Sequence, residues 1–230
     1  MAGADPRDAR DFAPRHHQAL VTATHDLSWL LSRGYAEKAA LKLVGDRLQL
    51  TGRQRMAVLR AAAPFEAAEA RRQKQLTELR GRTIAVDGFN QLVTTERGLA
   101  GGTAFRGIDG AVRDVASVHG TWRRSDGTRR ALSLLLDQLE GAAQITWVLD
   151  SPVSNSGLLA ALIREQSGAR GAPCVVQLEV RADAALLELG GVLASSDSAL
   201  LDRCEAWVAL SSAALAAAGI EVLDLARDPS

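Results

Sequence analysis

The chain has 230 residues, 47% of them apolar, with 27 basic against 27 acidic side chains and a formal net charge of zero. That is enough for a buried core in one large or two small domains, and the neutral total argues neither for nor against nucleic acid. Residues 1–80 carry 14 basic and 9 acidic side chains and residues 81–230 carry 13 and 18, so a basic front joins an acidic back unless the difference is ordinary scatter.

The amino end, Met1 to Asp8, is charged and lacks the apolar segment of a signal peptide. From Pro14, the apolar positions Leu20, Val21, Leu27, Leu30 and Leu31 predict a helix ending near Gly34. A second helix is expected over residues 36–44, stopped near Gly45. Thr51 reads as the N-cap of a third, running to Ala62 with Met56, Val58 and Leu59 inward. Pro64 breaks the pattern, and a charged fourth helix is expected from Phe65 to Leu79. Residues 1–80 thus read as a small all-helical domain. Arg33, Lys38, Lys42, Arg47, Arg53, Arg55 and Arg60 crowd it, as a phosphate-backbone grip or a solvated helical face would require. His16, His17 and His25 lack companions at ligand spacing and read as capping or surface residues.

Residues 81–230 alternate strand and helix. Thr83–Val86 is a β-branched strand ending at Asp87. Residues 97–130 are glycine-rich and irregular, with a short helix expected from Asp109 through Val112, Val115 and His119. Arg123 and Arg124 beside Trp122 suit a backbone-and-base contact, or a solvated loop with Trp122 covering the core. A helix over 130–139 leads to strand 145–149 and Asp150. Ser154 or Asn155 then caps a helix through Ile163. Strand 174–180 precedes Asp183 and the helix 184–189. Strand 192–194 runs through Ser195 and Ser196 into Asp197, which opens a helix expected over 198–210. A last helix, 212–218, and strand 220–223 close the chain. This order predicts an α/β fold with a parallel sheet and helices on both faces. Cys174 and Cys204 show no zinc or redox spacing. No stretch reaches the roughly 18 uncharged apolar residues of a membrane span, so a soluble cytoplasmic protein is expected.

Asp87, Asp150, Asp183 and Asp197 all follow predicted strands, at the edge where open α/β sheets bind ligands. Converging carboxylates repel and raise one another's pKa values unless a hard divalent cation such as Mg²⁺ or Mn²⁺ neutralises them. Asn90, Ser195 and Ser196 would orient ligands or waters. The competing reading makes these aspartates and serines helix caps. Other strand-end chemistries fit less well. Phe89 stands where a haloacid-type phosphatase has its second aspartate, and the α/β part has no lysine for a P-loop or receiver domain. Gly88-Phe-Asn-Gln does not supply a dinucleotide fingerprint.

Asp87-Gly-Phe-Asn90 resembles the DGxN opening of the PIN-like nucleases, especially their NYN branch. Ala182-Asp183-Ala-Ala-Leu186 and Ala194-Ser-Ser-Asp197-Ser198 resemble that branch's later motifs. The likeness covers residues 82–224 and implies a PIN-like three-layer fold. It also implies a metal-dependent ribonuclease with catalytic Asp87, Asp150, Asp183 and Asp197, metal on Asp87, Asp150 and Asp197, and RNA as partner. Asn90, Arg123, Arg124, Ser154, Asn155, Ser195 and Ser196 are the expected substrate contacts. Arg181-Ala182 replaces the branch's usual Lys-Gly, and Ala199 its second aspartate. A catalytically inactive RNA-binding or protein-interaction module therefore stands as the alternative, and the helical domain is a candidate surface for a homodimer or protein partner. The whole chain also resembles a small prokaryotic family of unknown function. That likeness rests on Leu43-Val-Gly-Asp-Arg47, Leu50-Thr-Gly-Arg-Gln-Arg55, Asp150-Ser-Pro-Val-Ser-Asn-Ser-Gly157 and Ser195-Ser-Asp197.

Overall fold

A computed structural model describes residues 5–115 and 121–229. The chain enters through helices α1 (Asp8–Asp11), α2 (Pro14–Ser32), α3 (Glu37–Arg47), α4 (Gly52–Ala61) and α5 (Phe65–Gln73). Thr51 does cap α4. Its side chain accepts the Gln54 N–H, and Gln54 Oε1 accepts the Thr51 N–H at 2.9 Å, a reciprocal capping box. Leu20, Val21 and Leu27 of α2 share a core with Val44 of α3 and Val58 of α4. Two details differ from expectation. α3 runs through Gly45 because the Arg55 guanidinium packs there, so close that a Cβ would lie 2.5 Å from Nη1. Met56 is 40% exposed, since Ala57, Val58 and Ala61 fill the inward face of α4.

α5 ends early, and its follower Gln75–Leu76 (β1) pairs in parallel with Ala206–Val208 (β8). β8 also interrupts the helix expected over 198–210, leaving α10 (Ser198–Arg203) before it and α11 (Leu210–Ala217) after it. Burial decides this local contest. Trp207 is fully buried and its Nε1 donates to the Arg71 carbonyl at 2.6 Å, a placement a helix would not give.

The main sheet is completed by β2 (Thr83–Asp87), β5 (Gln144–Asp150), β6 (Cys174–Glu179) and β7 (Val192–Ala194). Its six parallel strands run in the order β1-β8-β7-β2-β5-β6. Side chains alternate between faces. Ile84, Val86, Ile145, Trp147, Leu149, Val192 and Ala194 face the helices α6 (Gly88–Leu99), α7 (Thr128–Asp137), α8 (Ser156–Ala169) and α11. Ala85, Val148 and Leu193 face α9 (Ala182–Leu189) and α10. The protein is therefore α/β, with a parallel sheet covered on both faces and a helical region in front.

A second sheet replaces the helix expected from Asp109. β3 (Ala104–Arg106) and β4 (Val112–Asp114) form an antiparallel hairpin, and β9 (Leu223–Asp224) pairs in parallel with β3. Gly110 at the turn has φ +86°, a conformation suited to glycine. His119, assigned to that helix, lies outside the described residues. Phe105 of β3 and Leu225 after β9 are both buried in the core of α2–α4. Among the described residues, no helix is long and apolar enough to cross a membrane.

A candidate acidic active site

β2 sits where the sheet changes direction. From it the chain builds outward through β5 and β6 on one side, then returns to build β7 and β8 on the other. α6, which follows β2, covers one face and α10, which follows β7, covers the opposite one. Such a reversal leaves a crevice at the carboxyl ends of the strands. A pocket of about 400 Å³ opens there, with Asp87, Asp150, Asp183 and Asp197 all in its wall. Asn90, Ser196, Arg60, Arg113, Thr94 and Asp114 share it.

Register explains the convergence. Asp87 lies opposite Val148, so Asp150 stands two residues further along the neighbouring strand. Strand spacing and rise put their Cα atoms roughly 8 Å apart. By alternation both carboxylates continue the face of Ala85 and Val148, the face on which α9 presents Asp183 in its first turn. α6 starts directly at the end of β2 because residue 88 is glycine. A Cβ there would come within 2.3 Å of Leu149 Cδ2.

The four aspartates are not equivalent. Burial pushes Asp87 up to about 7, against hydrogen bonds from Ser195 and Asn90, and the Asp150 and Asp183 charges push it further. Ser195 Oγ donates to Asp87 Oδ2 at 2.7 Å, and the Asn90 N–H donates to Oδ1 at 3.4 Å. Asp150 is also raised, by burial first and then by Asp183. Asp197 instead caps α10, its Oδ1 accepting the N–H groups of Ala199 at 2.8 Å and Leu200 at 3.1 Å. The capping reading therefore holds for Asp197 at α10 and, through the Asn90 N–H, for Asp87 at α6. Among the described residues, no three His, Cys, Asp or Glu side chains are disposed to hold a metal ion.

Asn90 and the two serines lock the strand ends together. Asn90 Oδ1 accepts both the N–H and Oγ–H of Ser196 at 3.0 Å. Ser195 is buried beneath the pocket, where its Oγ also accepts the Asp197 N–H at 3.1 Å. The remaining expected contacts lie elsewhere. Arg123 and Arg124 are exposed and outside the pocket wall. Trp122 beside them is buried against Phe89, so it covers the core and offers no face to a base. Ser154 and Asn155 hold the 121–122 segment: the Ser154 carbonyl accepts the Trp122 N–H, and Asn155 Nδ2 donates to the Trp122 carbonyl at 2.8 Å. Asn155, at φ +70°, makes no side-chain cap to α8. The basic cluster of the first helices is largely ion-paired, Arg53 with Asp5 and Asp8, Lys42 and Arg55 with Asp46, and Arg47 with Asp26.

Residues 19–74 match the model described as Protein of unknown function (DUF434), and residues 76–213 that of Domain of unknown function (DUF5616). The uncharacterized protein MJ0935 of Methanocaldococcus jannaschii is 31% identical over 151 residues, covering 64% of this chain and 73% of that protein. No solved structure matches the chain. The second match starts in β1 and ends inside α11, taking in every strand that carries an aspartate to the pocket, and the chain belongs to the DUF5616 family.

Proposed function

We propose that the acidic cleft is the active site of a Mg²⁺- or Mn²⁺-dependent ribonuclease of the PIN-like kind, hydrolysing a phosphodiester. One observation carries this reading. Asp87, Asp150 and Asp183 open on one pocket, where burial first and their mutual repulsion second hold Asp87 and Asp150 above the usual carboxylate range. A cation removes that repulsion. Mg²⁺ commonly binds through one or two carboxylates plus the phosphates of its substrate, which suits a cleft with no preassembled three-ligand cage among the described residues. Asp150 and Asp183 are the first candidates to hold it, because Asp87 and Asp197 already accept hydrogen bonds from the protein. Once bound, such an ion supplies Lewis acidity at a phosphoryl oxygen and a water of lowered pKa.

The chain's own residues do the positioning. Ser195 Oγ and the Asn90 N–H orient the Asp87 carboxylate toward the cleft. Arg60 and Arg113 are the positive side chains of its wall. RNA as the substrate rests on the PIN-like resemblance. The second reading, a binding module without chemistry, draws on the use of Asp197 and Asp87 as caps.

Calorimetric titration of the metal-free protein with Mn²⁺, beside an Asp150→Asn/Asp183→Asn double variant, tests the proposal. Saturable binding lost in the variant, with Mn²⁺-dependent cleavage of a single-stranded RNA oligomer that the variant lacks, is expected. A wild type that binds no Mn²⁺, with or without RNA, overturns the enzyme reading in favour of the module.

A further inference from the structure

Arg71, Asp109 and Arg113 form a continuous ionic chain through the interior. They are 5%, 1% and 7% exposed. Arg71 of α5 grips Asp202 with Nε and Nη2 at 2.7 and 3.0 Å, and its Nη1 donates to Asp109 Oδ2 at 2.9 Å. Asp109, at the hairpin turn, accepts Arg113 Nη1 on Oδ1 at 2.8 Å and Nη2 on Oδ2 at 2.7 Å. Arg113 then donates from Nε to the Ser196 carbonyl at 2.8 Å and from Nη2 to Ser198 Oγ at 3.2 Å. Room for its guanidinium comes from Gly107, where a Cβ would lie 2.6 Å from Nη1.

Burying such a set is a costly way to gain stability, since an apolar cluster of the same volume often serves as well. What the ionic set provides is direction: a planar fork with fixed N–H vectors at its far end. Those vectors end on the 195–198 loop. That loop carries Ser195, which donates to Asp87, and Asp197, which opens α10. Burial alone would raise Asp109, but the Arg113 and Arg71 guanidiniums hold it below the usual range, so the chain stays charged.

We infer that Arg113 is the positioning residue of the 195–198 loop, and that Arg71, acting through Asp109, holds Arg113 in place, so that α5 of the first helices sets the geometry of the acidic cleft. Only the link to metal affinity rests on the enzyme reading; the mechanical link stands on the ionic chain alone.

Hydrogen exchange of the full chain tests it, with Arg113→Lys, Arg71→Lys and the core control Leu132→Ala. A lysine keeps the charge but cannot reach Asp109 and the loop together. In both lysine variants the Ala199 and Leu200 amides are expected to exchange faster by about tenfold, the loss of one hydrogen bond, while the Ile84–Val86 amides stay protected. Arg71 touches none of the loop residues but grips Asp202 of α10 directly, so Asp202→Ala is measured beside it. Loop exchange faster in Arg71→Lys than in Asp202→Ala requires the relay, and exchange no faster than in Asp202→Ala overturns it. Leu132→Ala is expected to lower the melting temperature without this local signature. Loop exchange like that of the wild type in either lysine variant, or loosening no greater than the control's, overturns the inference. Mn²⁺ affinity, measured in parallel, weakens in both lysine variants if the enzyme reading also holds. A wild type that binds no Mn²⁺ sinks that reading alone, because the exchange result still decides the relay.

Discussion

Asp87 shows what a strand-end carboxylate costs when nothing neutralises it. Its folded-state pKa, about 7, lies above the unfolded value of 3.8. The folded protein therefore holds this proton more tightly, and the stability so contributed is full below pH 4 and lost as pH rises toward 7. Asp150, raised by burial and Asp183, works in the same direction. Metal-free protein is expected to melt at a lower temperature at pH 8 than at pH 5. Asp87→Asn should recover on the order of 2 kcal/mol at pH 8 and flatten the profile. A thermal-melt series across that range checks this, and an unchanged profile in the variant would assign the pH dependence to other groups. Asp87 was legible in the sequence because a β-branched run ended on it. Arg113 was not: an arginine in a glycine-rich stretch carries no sign that it will be buried, and its role appears only when Asp109 and Ser196 are brought beside it in space.

Elements were legible where local chemistry and burial agreed. Thr51 with Gln54, and Asp197 ahead of α10, combine capping residues with apolar periodicity, and both caps form. The hairpin of β3 and β4 stands where a helix is expected because Asp109 is also a good helix opener; the Asp109-Gly110 pair between Phe105 and Val112 is the turn signal that favours the hairpin. β8 is hidden in the sequence for a different reason, since its alanine-rich surroundings favour helix locally and only the buried slot for Trp207 favours strand. The cap at Asp197 separates two roles in one carboxylate. Asp197→Ala should destabilise by about 1 kcal/mol and Asp197→Asn by a few tenths, because asparagine caps nearly as well. Denaturant titration measures both, and equal losses would show that charge rather than capping holds the loop.

At the scale of the whole molecule, the first helices and the sheet share one interior. β1 pairs with β8, Trp207 donates to the Arg71 carbonyl, and the core of α2–α4 includes Phe105 and Leu225. A chain shortened to residues 77–230 is expected to expose these buried apolar groups, bind a hydrophobic dye and lose its near-ultraviolet dichroism; a native-like spectrum would show that the sheet folds without the helices. This sharing was invisible in the sequence, where Pro64 and the change in charge balance suggest a simple junction. The position of Leu225 also bears on how the protein is made. Ribosomes add ~5–20 residues per second, so α2 waits on the order of ten seconds or more after its own synthesis for the residue that completes its core. During that interval its apolar side is uncovered, which makes the nascent chain, more than the finished protein, the form that a holding chaperone would protect.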